Sequence, residues 1–192
     1  MHAYQEKKFD LKGLTGFSDT QISEHLKLYA GYVKNVNALL SDSARLSADE
    51  ANGVAVSELR RRLGFEWNGM RLHEYYFEAL GAAVQLSEGS ALREALALQF
   101  GSFDGWVKDF KKAGMMRGIG WVVLCHDSTS GNLFNVWVSD HDIGHLAGLA
   151  VLIAMDVWEH AYAVDFLPTG RARYIDAFFE NMRWDIIESR FA

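Results

Sequence analysis

A carboxylate and an imidazole stand four residues apart in the heptapeptide Asp156-Val157-Trp158-Glu159-His160-Ala161-Tyr162. The heptapeptide begins where the apolar run of residues 146–155 gives way to polar sequence. A strand ending at this junction and the turn after it can aim both side chains at one point. Another imidazole, His73, sits in His73-Glu74-Tyr75-Tyr76-Phe77. The remaining chemistry-bearing residues carry less. Cys125 precedes His126, but neighbours on a strand face opposite ways, so a buried structural thiol is favoured over a nucleophile. His145, on the approach to an apolar strand, reads as a satisfied core histidine rather than a ligand.

Two kinds of element must position these residues. From Thr20 to about Gly118 the apolar residues recur at three and four, as in Ile22, Leu26, Tyr29, Val33, Val36, Leu39 and Leu40, which is helical periodicity. Residues 41–47 and 64–68 read as breaks, and Ser47-Ala48-Asp49-Glu50 offers a helix N-cap with a carboxylate three residues on. A long helix carrying His73 follows the second break, and residues 87–89 and Gly101-Ser102 punctuate the next helices. After Gly118 the pattern turns to strand: Gly120-Trp121-Val122-Val123-Leu124-Cys125, the turn signal Asp127-Ser128-Thr129-Ser130-Gly131-Asn132, then Leu133-Phe134-Asn135-Val136-Trp137-Val138. That is a hairpin. A third strand is expected over roughly residues 148–155, and the chain from Val157 reads as helical, interrupted near Pro168 and Gly170. The expected fold class is α+β: an N-terminal long α-hairpin domain (1–83), then a mixed domain (84–192) with a three-stranded antiparallel sheet and helices.

Composition narrows the partners. The 192 residues are 49% hydrophobic and 13% aromatic, ample for one large or two small cores. A net charge of -6 argues against a general nucleic-acid surface. The cluster Arg60-Arg61-Arg62 is short and reads as the solvated end of a helix. A single cysteine excludes an intramolecular disulfide. No secretory apolar region follows Met1, and the longest apolar stretch is about half of what a membrane span needs. No membrane partner is expected, and the cytoplasm is the default compartment.

The heptapeptide resembles the metal-binding signature of the iron/manganese superoxide dismutase family. The resemblance extends over nearly the whole chain, from Phe17 to Phe191, through Tyr32-Val33-Lys34-Asn35-Val36-Asn37, Gly118-Ile119-Gly120-Trp121 and the tail from Tyr174 to Asp185. It implies one iron or manganese ion per chain, held by His73, Asp156, His160 and a residue of the first helix. In the family that residue is a His eight positions before the Tyr that opens the Tyr-Val-x-Asn-x-Asn run. Counting back eight from Tyr32 lands on Glu24, so the gap-free register makes Glu24 the ligand, and an offset or bulged helix would make it His25. A Glu24 carboxylate on the metal would favour the trivalent state, lowering the potential by about 59 mV for each tenfold preference.

The activity implied is superoxide dismutation: the trivalent metal oxidises one superoxide to dioxygen, and the divalent metal reduces a second to peroxide with two protons. The resemblance casts Tyr32 as a gateway phenol. It casts His141 as the partner of the metal's water, because the family's Gln position four residues before His73 is Gly69 here. Trp121 and Trp158 are placed around the metal. A homodimer is implied, with Glu159 bridging to the partner's metal-ligating histidine and His160 receiving the reciprocal contact. A second family contact, a His–Tyr pair, falls on Leu28 and Ala163, two apolar residues that leave no buried polar orphan. The alternative expectation is a non-dismutase metal-binding or stress-response protein on the same fold, with the site retuned by Glu24.

Overall fold

The first long helix, α1 (Asp19–Leu46), begins where the Ser18 hydroxyl accepts the Gln21 N–H. It buries one stripe, Ile22, His25, Tyr29, Val33 and Val36. Those positions are three and four apart, so the stripe runs along a single face. In this computed structural model, which describes residues 2–191, the second long helix, α2 (Gly53–Glu78), packs along that face. The outer limits of the two expected domains, Met1 and Ala192, lie outside the described residues. Phe77 of α2 meets both His25 and Tyr29 of α1, with ring centroids 4.9 and 6.2 Å apart.

Helix α2 departs from expectation, for it runs unbroken through residues 64–68. A glycine inside a helix costs about 1 kcal/mol, but Glu66, Met70, His73 and Phe77 on the same helix are all buried. Tertiary packing of that face outweighs the local preference. The arginine cluster accordingly lies within the helix, not at its end, and Arg62 is turned toward buried Glu66.

Two shorter helices follow, α3 (Ala91–Phe100) and α4 (Phe103–Gly114), capped at their starts by Ser90 and Ser102. The sheet comprises β1 (Gly120–His126), β2 (Leu133–Ser139) and β3 (Ala150–Asp156), in the order β2-β1-β3 with both pairings antiparallel. The third strand therefore extends one residue beyond the expected limit, to Asp156 itself. Residues 120–125 of central β1 are buried, flanked by a strand on each side. Gly120 is obligatory: its φ is +136°, and a Cβ there would stand 2.0 Å from the Val138 carbonyl oxygen.

The chain closes with α5 (Ala163–Phe166), α6 (Arg171–Glu180) and α7 (Trp184–Ser189). The halves are tied by the bridge Leu80–Met182 and by Arg190, which donates to Glu78 at 2.9 Å; within the second half Arg190 also donates to the Leu152 carbonyl at 2.7 Å. Trp106, Trp121, Tyr76, Tyr174, Phe110 and Phe178 are fully buried. Burial of a large apolar side chain contributes about 1.5–3 kcal/mol. Among the described residues no helix is long and apolar enough to cross a membrane.

Candidate metal centre

Strand β3 ends on Asp156 and a 3₁₀ turn, Glu159–Ala161, follows within three residues. That geometry delivers Asp156 and His160 to one point. The Asp156 Oδ1 atom is occupied by the Trp158 backbone N–H at 2.8 Å, and its backbone carbonyl accepts the Tyr174 hydroxyl at 2.6 Å. These two bonds fix the carboxylate so that Oδ2 faces inward. His160 Nε2 lies 3.1 Å from Oδ2, His25 Nε2 also 3.1 Å, and His73 Nε2 3.6 Å. His25, His73, Asp156 and His160 form a four-donor cluster. His25, His73 and Asp156 are wholly buried, while the His160 side chain retains 23% exposure.

Glu24 is not part of it. Its carboxylate is 52% exposed and bonds Lys27 on the same helix at 2.6 Å. The correction has a simple geometric cause. Each residue of an α-helix advances about 100°, so seven steps return to within about 20° of the starting direction and eight leave about 80°. Helix α1 is continuous from residue 19 to residue 46, so the residue seven before Tyr32 shares its face, and that residue is His25. A sequence signal existed. His25 fills the slot between Ile22 and Tyr29 on the buried stripe, where a polar residue needs a reason to be.

The cluster fits a metal ion on its own chemistry. His73 Nδ1 lies 2.6 Å from the Gly69 carbonyl oxygen, an acceptor, so the ring hydrogen resides on Nδ1 and Nε2 presents a lone pair. That Nε2 is buried and has no hydrogen-bond partner. An unpaired buried acceptor costs about 1–3 kcal/mol, which an electrophile at the centre of the cluster would remove. First-row ions hold imidazole and carboxylate at about 2.0–2.2 Å, so neighbouring donors stand about 3.0–3.6 Å apart. The distances to Asp156 Oδ2 fall in this range.

Protonation is already arranged for such an ion. Burial pushes the His25 pKa down and the His73 pKa well down, so both are neutral near pH 7. Burial alone would raise Asp156, but His160 and His25 beside it hold its carboxyl far below the usual range. His160 is the exception: burial opposes its charge, yet Asp156 raises its pKa overall.

A wall of aromatic residues closes the cluster. His73 packs against Tyr32 and Trp121, with centroids 5.1 and 5.0 Å apart. Trp158 stacks on both His141 and His160, at 5.1 and 5.7 Å. His141 is presented by a tight turn in which Asp140 adopts φ +51°, closed by reciprocal backbone bonds between Ser139 and Ile143. The Asp140 carbonyl in turn accepts the Trp158 indole N–H at 3.2 Å. His145 is exposed, in contrast to the core position expected, and its Nε2 lies 2.8 Å from the His141 carbonyl.

His141 Nδ1 accepts the Trp121 indole N–H at 2.9 Å. Indole is a donor only, so the neutral imidazole carries its hydrogen on Nε2. That Nε2–H points to the Tyr32 hydroxyl oxygen at 2.6 Å. The Tyr32 oxygen therefore accepts, and its own hydrogen is free to be donated elsewhere. Burial, then Asp156 and Glu66, hold the Tyr32 phenol above its ordinary pKa, and burial pushes His141 down to about 4. Gly69 makes room for this pair, since a Cβ there would meet the Tyr32 ring at 2.6 Å.

Sequence reasoning placed His73, Asp156, His160, Tyr32 and His141, and the structure brings all five together. It passed over Gln21, which is buried and ties α1 to the 3₁₀ turn: its amide donates to the His160 carbonyl at 2.7 Å and accepts the Val164 N–H at 3.1 Å. Its neighbours on the sequence gave no signal, because its partners lie more than a hundred residues away. Cys125 is free and buried, as expected of a structural thiol.

Residues 88–190 match the family model described as iron/manganese superoxide dismutases, C-terminal domain. The chain is 37% identical over 183 residues to superoxide dismutase [Fe] of Cupriavidus metallidurans, covering 93% of this chain and 90% of that protein. It is 36% identical over 194 residues to superoxide dismutase [Fe] of Aquifex pyrophilus, covering 97% and 90%. It is also 38% identical over 124 residues to superoxide dismutase [Mn] 1 of Halobacterium salinarum, covering 65% and 61%. With its donor cluster assembled from both halves of the fold, this chain belongs to the iron/manganese superoxide dismutase family.

Proposed function

We propose that this chain is a metal-dependent oxidoreductase that disproportionates superoxide to dioxygen and hydrogen peroxide, with one iron or manganese ion per chain held by His25, His73, Asp156 and His160. The observation that carries the reading is the buried, unpartnered Nε2 lone pair of His73 facing the Asp156 carboxylate inside a four-donor cluster. When bound, the ion supplies a one-electron couple that takes an electron from one superoxide and returns it to another. Three imidazoles and one carboxylate suit both oxidation states of such an ion. With Glu24 turned to solvent, the reason for supposing a retuned site is removed.

Peroxide formation consumes two protons, and the chain has a donor in position. Trp121 fixes the His141 tautomer, His141 Nε2–H holds the Tyr32 oxygen, and the Tyr32 hydroxyl hydrogen is left to face the substrate. Its raised pKa keeps it protonated at neutral pH. Tyr32 also lines a cleft to solvent together with Trp158, through which the proton can be replaced. Trp121, Trp158 and Tyr32 exclude bulk water from the buried side of the cluster.

The assembly in this reading is a homodimer joined through Glu159 and His160, acting in the cytoplasm. Glu159 is exposed and forms no ion pair among the described residues, and Met115, Ile119 and Leu167 leave apolar surface uncovered, the first two lining one cleft with Glu159. The division at residue 83 belongs to the same reading, with two donors from each side of it. The test is superoxide dismutation by protein loaded separately with iron and with manganese, with metal quantified and mass measured by light scattering. Activity that scales with metal content and is lost in His73→Ala is the expected result. Full metal occupancy without dismutation by either form would overturn the reading.

A further inference from the structure

Superoxide is an anion, and the chain that must collect it carries 25 acidic against 19 basic side chains. At long range the net charge of -6 opposes arrival. Screening confines that field to about 8 Å at physiological ionic strength, so the charges at the mouth of the site decide the approach. The cleft bordered by Tyr32 and Trp158 is also lined by Phe65, Glu66 and two cations, Lys27 and Arg62.

The two cations are held differently. Lys27 pairs with Glu24, and both side chains are more than half exposed, at 70% and 52%. Such a pair is solvated, neutral overall and without fixed orientation. Arg62 pairs with Glu66 at 2.6 Å, but Glu66 is 4% exposed whereas Arg62 is 53% exposed. The carboxylate lies behind the guanidinium, and its second oxygen is held by Asn35 at 3.1 Å. The guanidinium carbon rests 3.9 Å from the Phe65 ring centroid, and Phe65 meets His141 edge-on at 4.6 Å. The pair is therefore held in place with the guanidinium as its exposed end, at the border of the cleft that Glu66 also lines, and anchored on the ring that touches the His141–Tyr32 couple. Its charge is felt at the site: burial and the carboxylates Asp156 and Glu66 raise the Tyr32 pKa, and Arg62 opposes them.

Resting on the dismutase reading above, we propose that Arg62 is a positioning residue that gathers the anionic substrate at the cleft and hands it to Tyr32, with Glu66 and Phe65 fixing its direction. Lys27 contributes little. The test uses the full metal-loaded chain in three variants, Arg62→Gln, Arg62→Lys and Lys27→Gln. Two readouts are taken, kcat and kcat/KM for superoxide against ionic strength, and the dissociation constant of azide from the absorbance of the iron form. For Arg62→Gln we expect about a tenfold fall in kcat/KM at low salt, at the lower end of what steering supplies. Its kcat is expected to be unchanged, its salt dependence flattened and its azide binding weakened by a comparable factor. Arg62→Lys recovers most of the loss, and Lys27→Gln changes either readout less than twofold. Unchanged kcat/KM and azide binding in Arg62→Gln would overturn the proposal. So would equal losses in Arg62→Gln and Arg62→Lys, or a larger loss in Lys27→Gln. An inactive parent protein would sink the dismutase reading instead, while azide binding would still decide the role of Arg62.

Discussion

Replacing Glu24 and His25 one at a time separates two neighbours that differ by one step along a helix. The Glu24 carboxylate is half exposed and its one partner is Lys27, three residues on. Pairs of that kind contribute about 0.2–0.5 kcal/mol, so Glu24→Ala should leave stability within about 0.5 kcal/mol and metal content unchanged. His25 is fully buried, with ring centroids 5.0 Å from His73 and Tyr76 and 4.9 Å from Phe77, and its Nε2 lies 3.1 Å from Asp156 Oδ2. In the metal-free protein, His25→Ala empties that space, at about 2–4 kcal/mol by analogy with other large-to-small core changes. It also removes a hydrogen bond to an ionised group, itself about 1.5–3 kcal/mol. The two costs overlap, and a total near 3–4 kcal/mol is expected. Loss of a supporting hydrogen bond around a metal costs 10–100-fold in affinity, so loss of a direct donor should exceed about 100-fold. Urea denaturation of the metal-free proteins reads the first quantity, and metal retained against a chelator-buffered free ion reads the second. Glu24→His should gain nothing in either. If Glu24→Ala loses its metal while His25→Ala keeps it at the parental affinity, the assignment of the α1 donor is wrong.

Other outcomes follow from the same geometry. Gly69→Ala places a Cβ 2.6 Å from the Tyr32 ring and should reduce dismutation severalfold with metal retained. Its thermal midpoint should fall little, because alanine regains up to about 1 kcal/mol of helix propensity. Tyr174→Phe deletes the hydroxyl that donates to the Asp156 carbonyl at 2.6 Å; urea denaturation should show a loss of about 1–3 kcal/mol, as for a buried acceptor left short of a donor. Metal uptake near neutral pH should release no more than about one proton per ion, chiefly from His160, since its pKa is raised while burial lowers His25 and His73 and Asp156 is ionised. Calorimetry in buffers of different ionisation enthalpy measures that number, and a value near three would refute it. The sign for stability is opposite at the two partners. The raised His160 stabilises the metal-free fold below its unfolded value of about 6.5 and loses this as pH rises through the folded value. The lowered Asp156 contributes above about 3.9 and loses this as pH falls toward its folded value. Metal-free protein should thus melt at a lower temperature in mildly alkaline than in neutral buffer.

Asp156 and His160 were legible in sequence because a strand end and a turn impose their convergence locally, within five residues. His73 was legible through the family resemblance, whose second ligand is a His followed by aromatic residues on a helix, as in His73-Glu74-Tyr75-Tyr76-Phe77. The α1 donor was harder. Counting from Tyr32 imported a spacing of eight, whereas a straight helix of 3.6 residues per turn brings residues seven apart onto one face. The stripe of buried positions in α1 held the answer, but a stripe drawn through Leu26 hides the His25 slot. The supposed break at residues 64–68 failed for a different reason: local propensity opposed the helix there, and long-range burial of Glu66, Met70 and His73 prevailed. Gln21 and the Trp121–His141 bond are set wholly by distant partners and left no local pattern.

The four donors sit at positions 25, 73, 156 and 160, so the cage closes a loop through more than two thirds of the chain. During synthesis, the two helical histidines can meet early, as neighbours in an α-hairpin, long before the carboxylate that orients them exists. An ion caught by that pair alone would be weakly held and easily exchanged. On the proposed reading an ion would therefore be held firmly only in a nearly finished fold, whose donor geometry is fixed by Tyr174, Trp158 and Gln21.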